Sequence, residues 1–173
     1  MSFLQRIFGR KERHALLPLY RAVVAAGRDA AWYREGQVPD TIDGRFDMVA
    51  ALMALTLLRL EEEGADARAP AVLLTELFVD DMDASLRQIG IGDYVVGKHV
   101  GRMMGALGGR LAAFREARRE GGGFAAPVRR NIFHEAPPTE EAVEWVAGRL
   151  ARFAAALAAQ PLALLLAGRL PAL

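Results

Sequence analysis

FDMVAALMALTLLRLEEE, residues 46–63, decides the fold of this chain. Aliphatic side chains follow one another so closely from Val49 to Leu60 that every face of a helix over this stretch would be apolar. A helix that is apolar all round is buried among other elements. The three glutamates then give the helix a polar end, and Gly64 provides a stop. The stretch therefore predicts a helix in the middle of a bundle.

Four further stretches carry apolar residues at the three- and four-residue spacing of a helix. They are residues 16–28, 70–89, 94–119 and the stretch that starts at Thr139. Pro18 falls in the opening turn of the first of these, where its missing N–H costs little. The sequence shows no strand-like alternation. We therefore predict an all-α fold, a single-domain helical bundle of about five to six helices, with a charged-aromatic loop after the first core helix.

Composition divides the chain into four segments. We expect a basic amphipathic N-terminal segment over residues 1–14 and a helical core over 15–120. The glycine run at 121–123 and the two prolines at 137–138 predict a flexible Gly/Pro linker over 121–138. Residues 139–173 are then a C-terminal helix and an apolar tail. Because Pro161, Gly168 and Arg169 interrupt the tail, docking on the body of the protein or on a partner is favoured over a membrane span.

The charge balance excludes some classes of function. The chain has 173 residues, with 22 basic and 21 acidic side chains and a net charge of +1. A nucleic-acid-binding protein would show a basic excess or stripe, so no nucleic-acid partner is expected. Cysteine is absent, which excludes disulfides and thiolate metal sites.

The segment from Trp32 to Asp47 (WYREGQVPDTIDGRFD) concentrates the chemical diversity of the chain. Gly36, Pro39 and Gly44 interrupt regular structure there, and acidic and basic residues alternate around them. Recognition residues are often carried by loops that a rigid scaffold positions. The segment therefore favours a binding protein over an enzyme.

The N-terminal segment has the pattern of a helix that lies on an anionic surface. Phe3, Leu4, Ile7 and Phe8 form one helical stripe, and Arg6, Arg10 and Lys11 flank it. An apolar stripe with a basic flank suits an anionic membrane surface or an acidic partner. A terminus with chance amphipathicity is the alternative.

Gly97, Gly101 and Gly105 lie at four-residue spacing within the fourth predicted helix. Glycine inside a helix costs about 1 kcal/mol relative to alanine. A row of glycines on one face lets another helix approach closely. Packing inside the bundle is favoured over packing against another chain.

Chemically reactive patterns are scarce. The two serines lie outside any nucleophile turn, and the three histidines are far apart in sequence. Glu76, Asp80, Asp81 and Asp83 form one acidic cluster that oxygen-loving cations such as Mg²⁺ or Ca²⁺ would accept. A solvated helix face is favoured over a metal site or a metal-dependent enzyme at this cluster. We expect no catalytic residue, no metal and no cofactor.

Several segments together resemble the ubiquinol–cytochrome c chaperone family. They are Leu19-Tyr20, residues 32–47 with VPDT at 38–41 and DGRFD at 43–47, ELFVDDMD at 76–83, LRQIGIGD at 86–93, and the helix through Gly97-Lys98, Met103 and Gly109-Arg110. The resemblance runs in order from about Leu19 to Arg118. It implies an assembly factor for the cytochrome bc complex, respiratory complex III, which binds cytochrome b or another subunit of that complex together with a small partner protein. The lack of cysteine and of an organellar-type presequence looks like a bacterial form of this family, expected in the cytoplasm and peripheral on the inner face of the cytoplasmic membrane.

We predict one recognition surface from two parts of this resemblance. Its residues are Tyr33, Asp40, Arg45 and Phe46 in the loop, and Asp81, Met82, Arg87 and Asp93 around the third helix. Two structural alternatives stay open. Arg45 with Asp40 or Asp93 would form a buried ion pair that fixes the loop, and Phe46 and Met82 would pack in the core.

Overall fold

The computed structural model describes the backbone of residues 3–88, 90, 93–121, 123–134 and 139–173. Side chains are described over the same ranges except at residues 3–12 and 93–94. The membrane-contact side chains predicted at Phe3, Leu4, Arg6, Ile7, Phe8, Arg10 and Lys11 therefore lie outside the described residues, as does the side chain of Asp93.

The described residues form helices and contain no β-strand, which confirms the predicted all-α bundle. The helices are α1 (Phe3–Gly27), α2 (Ala30–Arg34), α3 (Ile42–Glu62), α4 (Arg68–Gln88), α5 (Asp93–Glu120), α6 (Ala125–Val128), α7 (Glu140–Ala159) and α8 (Leu162–Leu166). Five of them are long, close to the predicted number of helices.

Helix α3 lies in the middle of the bundle, as its apolar faces predict. It packs against α1, α4, α5 and α7, and its side chains are buried without interruption from Asp47 to Leu60. The helix begins at Ile42 and not at Phe46, because the Thr41 hydroxyl accepts a hydrogen bond from the Gly44 N–H at 3.1 Å and caps it. The predicted loop is correspondingly shorter, since Trp32 and Tyr33 already belong to α2.

Helix α1 is longer than the sequence pattern predicts. It runs unbroken from Phe3 and includes Pro18 in its interior, so the expected opening turn at residue 16 is wrong. A proline there removes one backbone hydrogen bond, yet the helix continues, with Leu16 and Leu19 on either side of Pro18 buried in the core.

The predicted Gly/Pro linker contains ordered, buried structure. Helix α6 and a π-helical turn over Arg129–Phe133 fill residues 125–133. Phe124, Val128, Ile132 and Phe133 are buried in the main core. Helix α5 ends at Glu120 and α7 begins at Glu140, and the apolar residues of 124–133 between them form part of the fold.

The apolar tail packs on the body of the protein. Leu165 of α8 is fully buried, and α8 contacts α1. Gly168 has a positive φ of 83°, and a Cβ at this position would lie 2.6 Å from the Pro18 carbonyl carbon. Arg59 of α3 donates hydrogen bonds to the carbonyls of Leu157 and Gln160 at 2.9 and 3.1 Å, and so satisfies the end of α7.

The glycine row of α5 does not serve close packing inside the bundle. Gly97, Gly101 and Gly105 are exposed, and an added Cβ at any of them would meet nothing within 4 Å. The intramolecular interpretation is therefore wrong for these three positions.

Candidate partner-binding surface

Helices α1 and α4 enclose a surface cavity of about 670 Å³. Leu17, Val24 and Ala25 of α1 and Leu77 of α4 supply its apolar lining. Arg21 and Arg28 line the α1 wall, and Asp80 and Asp81 line the α4 wall. The cavity thus combines an apolar floor with charged edges of opposite sign.

Other side chains of this protein already contact the acidic wall of this cavity. Tyr20 donates a hydrogen bond from its hydroxyl to Asp81 Oδ2 at 2.6 Å, and Arg13 pairs with Asp80. Burial raises the pKa of the Tyr20 phenol well above its ordinary value, and the hydrogen bond to Asp81 adds to that effect. Tyr20 therefore stays protonated at physiological pH and keeps its hydrogen bond to Asp81.

A second cavity, of about 290 Å³, lies where α2 meets the start of α3. It is lined by Arg28, Tyr33, Arg34, Asp40 and Arg45 together with Ala30. Arg45 donates from Nε to Asp40 Oδ1 at 2.6 Å. Both side chains remain more than half exposed, at 59% and 57%. The pair expected to be buried is therefore a surface pair, of small energetic weight.

A third cavity, of about 400 Å³, is an apolar groove between the start of α3 and the end of α4. Phe46, Met82 and Leu86 line it, with Met103 of α5 and with Arg28 and Arg45 at its edge. Phe46 packs at 6.1 Å, ring centre to ring centre, against buried Phe78. The groove also carries Ile42, which is 65% exposed and extends its apolar lining to the surface.

Arg28 joins the three cavities, since it lines each of them. It is exposed, at the end of α1, and makes no ion pair within the described part of the chain. Sequence reasoning missed Arg28, Tyr20 and Ile42. For two of them the sequence carries only a weak signal. Arg28 directly follows α1 and Ile42 is the first residue of α3, and in the sequence such residues resemble the ordinary ends of helices.

The structure brings six of the eight predicted recognition residues to this surface. Tyr33, Asp40, Arg45, Phe46, Asp81 and Met82 line its cavities. Phe46 and Met82 also pack against the core, so their positions are compatible both with recognition and with core packing. Arg87 lies outside the lining of the three cavities and contacts Asp83 one turn earlier at 2.7 Å. Asp93 has no described side chain.

A buried ion pair supports the groove from beneath. Arg110 of α5 pairs with Asp47 of α3, and both side chains are almost fully buried. His134 Nε2 contacts the other Asp47 oxygen at 2.8 Å. Burial raises the pKa of Asp47 and lowers that of Arg110, and each partner charge opposes the effect on the other. The Arg110 guanidinium also lies 5.7 Å from the Phe46 ring centre, which ties the pair to the groove.

A second charged cluster fixes the short helix α2 beside the surface. The Asp29 carboxylate accepts a hydrogen bond from the Ala31 N–H at 2.9 Å and caps the helix. Its other oxygen accepts from Arg149 at 2.6 Å. The Arg149 guanidinium lies 4.4 Å from the Trp32 ring and 5.2 Å from the Trp145 ring. These contacts hold Trp32, and with it helix α2, against α7.

The acidic cluster on α4 is not assembled as a metal site. Asp80 pairs with Arg13, Asp81 accepts from Tyr20, and Asp83 pairs with Arg87. Among the described residues there is no group of three or more metal-ligating side chains that could hold an ion.

None of the described helices has both the length and the apolarity needed to span a bilayer.

An all-helical body with a joined apolar and charged surface is typical of a protein that binds another polypeptide. The family comparison is more specific. The family model described as ubiquinol–cytochrome C chaperone matches residues 34–172, so the chain belongs to this family. The match extends through α7 and the tail, well beyond the end at Arg118 predicted from the sequence motifs.

A solved structure agrees with this assignment. The chain is similar to the crystal structure of the Cbp3 homolog from Brucella abortus, with 29% identity and a TM-score of 0.78. The similarity covers 97% of this chain and 95% of that one. No curated protein matched the sequence.

Proposed function

We propose that this protein is a non-enzymatic assembly chaperone that binds cytochrome b during the biogenesis of the ubiquinol–cytochrome c oxidoreductase complex. Family membership supports a role in the assembly of complex III. The observation that carries the proposal is the surface of three cavities joined at Arg28.

The chemistry of the surface suits an unassembled membrane-protein client. Such a client exposes apolar segments together with the charged residues that flank them. The groove around Phe46, Met82 and exposed Ile42 offers apolar contact. The arginines at its edge offer charge-assisted hydrogen bonds to groups on the same client. Contact of this kind changes no covalent bond, in keeping with the absence of a catalytic set in the sequence.

Peripheral contact with the inner face of the cytoplasmic membrane of a bacterium forms part of the proposal. Helix α1 reaches back to Phe3 as one helix, so the stripe and basic flank of residues 3–11 have the helical register that their pattern requires. A helix of that kind would hold the chaperone where a client emerges into the bilayer. A small partner protein, as the family resemblance implies, would bind alongside it.

A deletion strain tests this function. We expect it to lose assembled complex III and to regain the complex when the wild-type chain is restored. Ile42→Asp should fail to restore the complex, because it places a charge in the apolar groove. Val72→Asp is the matched control, since Val72 is another exposed aliphatic residue on a helix, 54% exposed, and lies outside the three cavities.

Recovery of cytochrome b with the tagged chain from solubilised membranes gives the direct measurement. The wild type and Val72→Asp should retain it, and Ile42→Asp should retain several-fold less. An unchanged level of complex III in the deletion strain would refute the proposal.

A further inference from the structure

The α1 wall of the cavity between α1 and α4 carries a repeating pattern of apolar and basic side chains. Leu17 and Val24 are seven residues apart, and Arg21 and Arg28 repeat the same spacing four residues further on. At 1.5 Å per residue the two arginines are separated by about 10 Å along the helix axis. In coiled coils, apolar residues at heptad positions a and d form the seam, and charged residues at positions e and g select the partner. The four-residue step from Leu17 to Arg21 and from Val24 to Arg28 is the step from position a to position e.

The two arginines are available to a partner. Both are exposed, and neither makes an ion pair with any described residue. The acidic groups that face them across the cavity are engaged, Asp80 by Arg13 and Asp81 by Tyr20. The Tyr20 hydroxyl leaves the negative charge of Asp81 in place, so two arginines face one carboxylate that has no cationic partner in the part of the chain that the structure describes, and the balance of charge on this surface is positive.

We propose that this cavity binds an amphipathic helix of the client, whose apolar seam lies on Leu17, Val24 and Leu77 and whose carboxylates, seven residues apart, pair with Arg21 and Arg28. The cavity of about 670 Å³ lies within the size range of ligand pockets, about 300–1,000 Å³, and so has room for a few side chains from one face of a helix. Docking an amphipathic helix in an apolar groove with charges at its edge is a common mode of recognition. The inference rests on the proposed function and names the chemistry of the client segment.

An anionic lipid surface fits this site less well. Basic segments that bind lipid headgroups are clusters of lysine and arginine. Here the cavity offers only two basic side chains, Arg21 and Arg28, both on one wall, which is fewer than such a cluster contains. A helix can direct carboxylates to one wall and neutral or basic side chains to the other.

Binding of synthetic helices to the full-length chain tests the inference. One labelled peptide carries leucine along its seam and glutamate at the two flanking positions seven residues apart, and the other carries lysine at those two positions. We expect the wild type to prefer the glutamate peptide. The double variant Arg21→Glu/Arg28→Glu should bind that peptide roughly tenfold more weakly and should now prefer the lysine peptide. Arg152→Glu is the matched control, because Arg152 is an exposed arginine on α7 outside the three cavities.

Equal binding of the two peptides by the wild type, or an unchanged preference in the double variant, would overturn the inference. So would binding of phosphatidylglycerol vesicles that is lost in the double variant while neither peptide binds, since the site would then recognise lipid.

Peptides tiling cytochrome b separate this inference from the proposed function. If they bind the wild type and the double variant equally, the client is correct and the arginine site is wrong. If none binds while the glutamate peptide does, the proposed client is wrong and the site for an acidic helix stands.

Discussion

The carbonyl group of Pro39 lies directly against the Cα of Gly44. A Cβ at position 44 would overlap the Pro39 carbonyl oxygen and lie 3.0 Å from its carbonyl carbon. This contact folds the chain before α3 back onto the first turn of the helix, next to the Thr41 cap. It thereby sets where Arg45 and Phe46 enter the candidate surface.

Gly44→Ala should destabilise the protein by about 1–3 kcal/mol, the usual cost of overpacking. The clash is with backbone, which cannot move aside without disturbing the cap. Gly97→Ala is the control of opposite sign, because an added methyl group there meets nothing within 4 Å. It should stabilise the protein by about 0.5–1 kcal/mol through helix propensity. Urea denaturation measures both free energies of unfolding, and a stable Gly44→Ala variant would contradict the packing described.

The buried Asp47–Arg110 pair gives a second prediction. Asp47→Leu alone leaves the almost fully buried Arg110 charge without its carboxylate, and should cost about 3–5 kcal/mol. Arg110→Met alone should cost a similar amount. The double variant Asp47→Leu/Arg110→Met should be more stable than either single variant, since no unpaired charge remains. A double-mutant cycle by urea denaturation measures the coupling, and additive losses would show that the two groups do not interact.

The positions of the long helices follow from the sequence because their apolar spacing is regular. The central place of α3 follows from its lack of a polar face. Two features escaped that reasoning. Residues 124–133 looked like a linker because glycine and proline flank them, yet Phe124, Val128 and Ile132 are buried by tertiary contacts that no local pattern encodes. Helix α1 likewise continues through Pro18, against the local preference of proline.

Prediction of the candidate surface depended on the family resemblance for most of its residues. The charged-aromatic segment drew attention to Tyr33, Asp40 and Arg45, which do line one cavity. The sequence could not show that the end of α1 reaches the same place. Arg28 is distant from Asp81 and Met82 along the chain, and only the packing of α1 against α4 brings them to one surface.

The docked tail gives a third prediction. Leu165 is fully buried on the body of the protein, so Leu165→Ala should cost about 2–5 kcal/mol. Leu164→Ala is the neighbouring control, because Leu164 is exposed, and should change stability by less than about 0.5 kcal/mol. Thermal and urea denaturation measure both. Equal effects of the two substitutions would mean that α8 does not pack on α1 through Leu165.

The Asp29 cap gives a prediction about pH. The hydrogen bond from the Ala31 N–H, together with Arg149, holds the pKa of Asp29 below its ordinary value of 3.8. Between the lowered pKa of Asp29 in the folded state and its ordinary pKa in the unfolded state, the folded state binds fewer protons than the unfolded state. Stability therefore rises with pH through that range. The contribution of the charge is complete above pH 3.8 and is lost as the pH falls through the folded value.

Asp29→Asn isolates this charge, because asparagine keeps an acceptor for the helix cap. At pH 7 the variant should be less stable than the wild type by a few tenths to about 1 kcal/mol, as for other partly exposed ion pairs. The difference should shrink as the pH is lowered below about 4. Asp29→Ala should lose about 1 kcal/mol more at every pH, because it also removes the cap. Urea denaturation at several pH values measures these differences, and a constant gap between wild type and Asp29→Asn would show that the contribution of Asp29 comes from geometry and not from its charge.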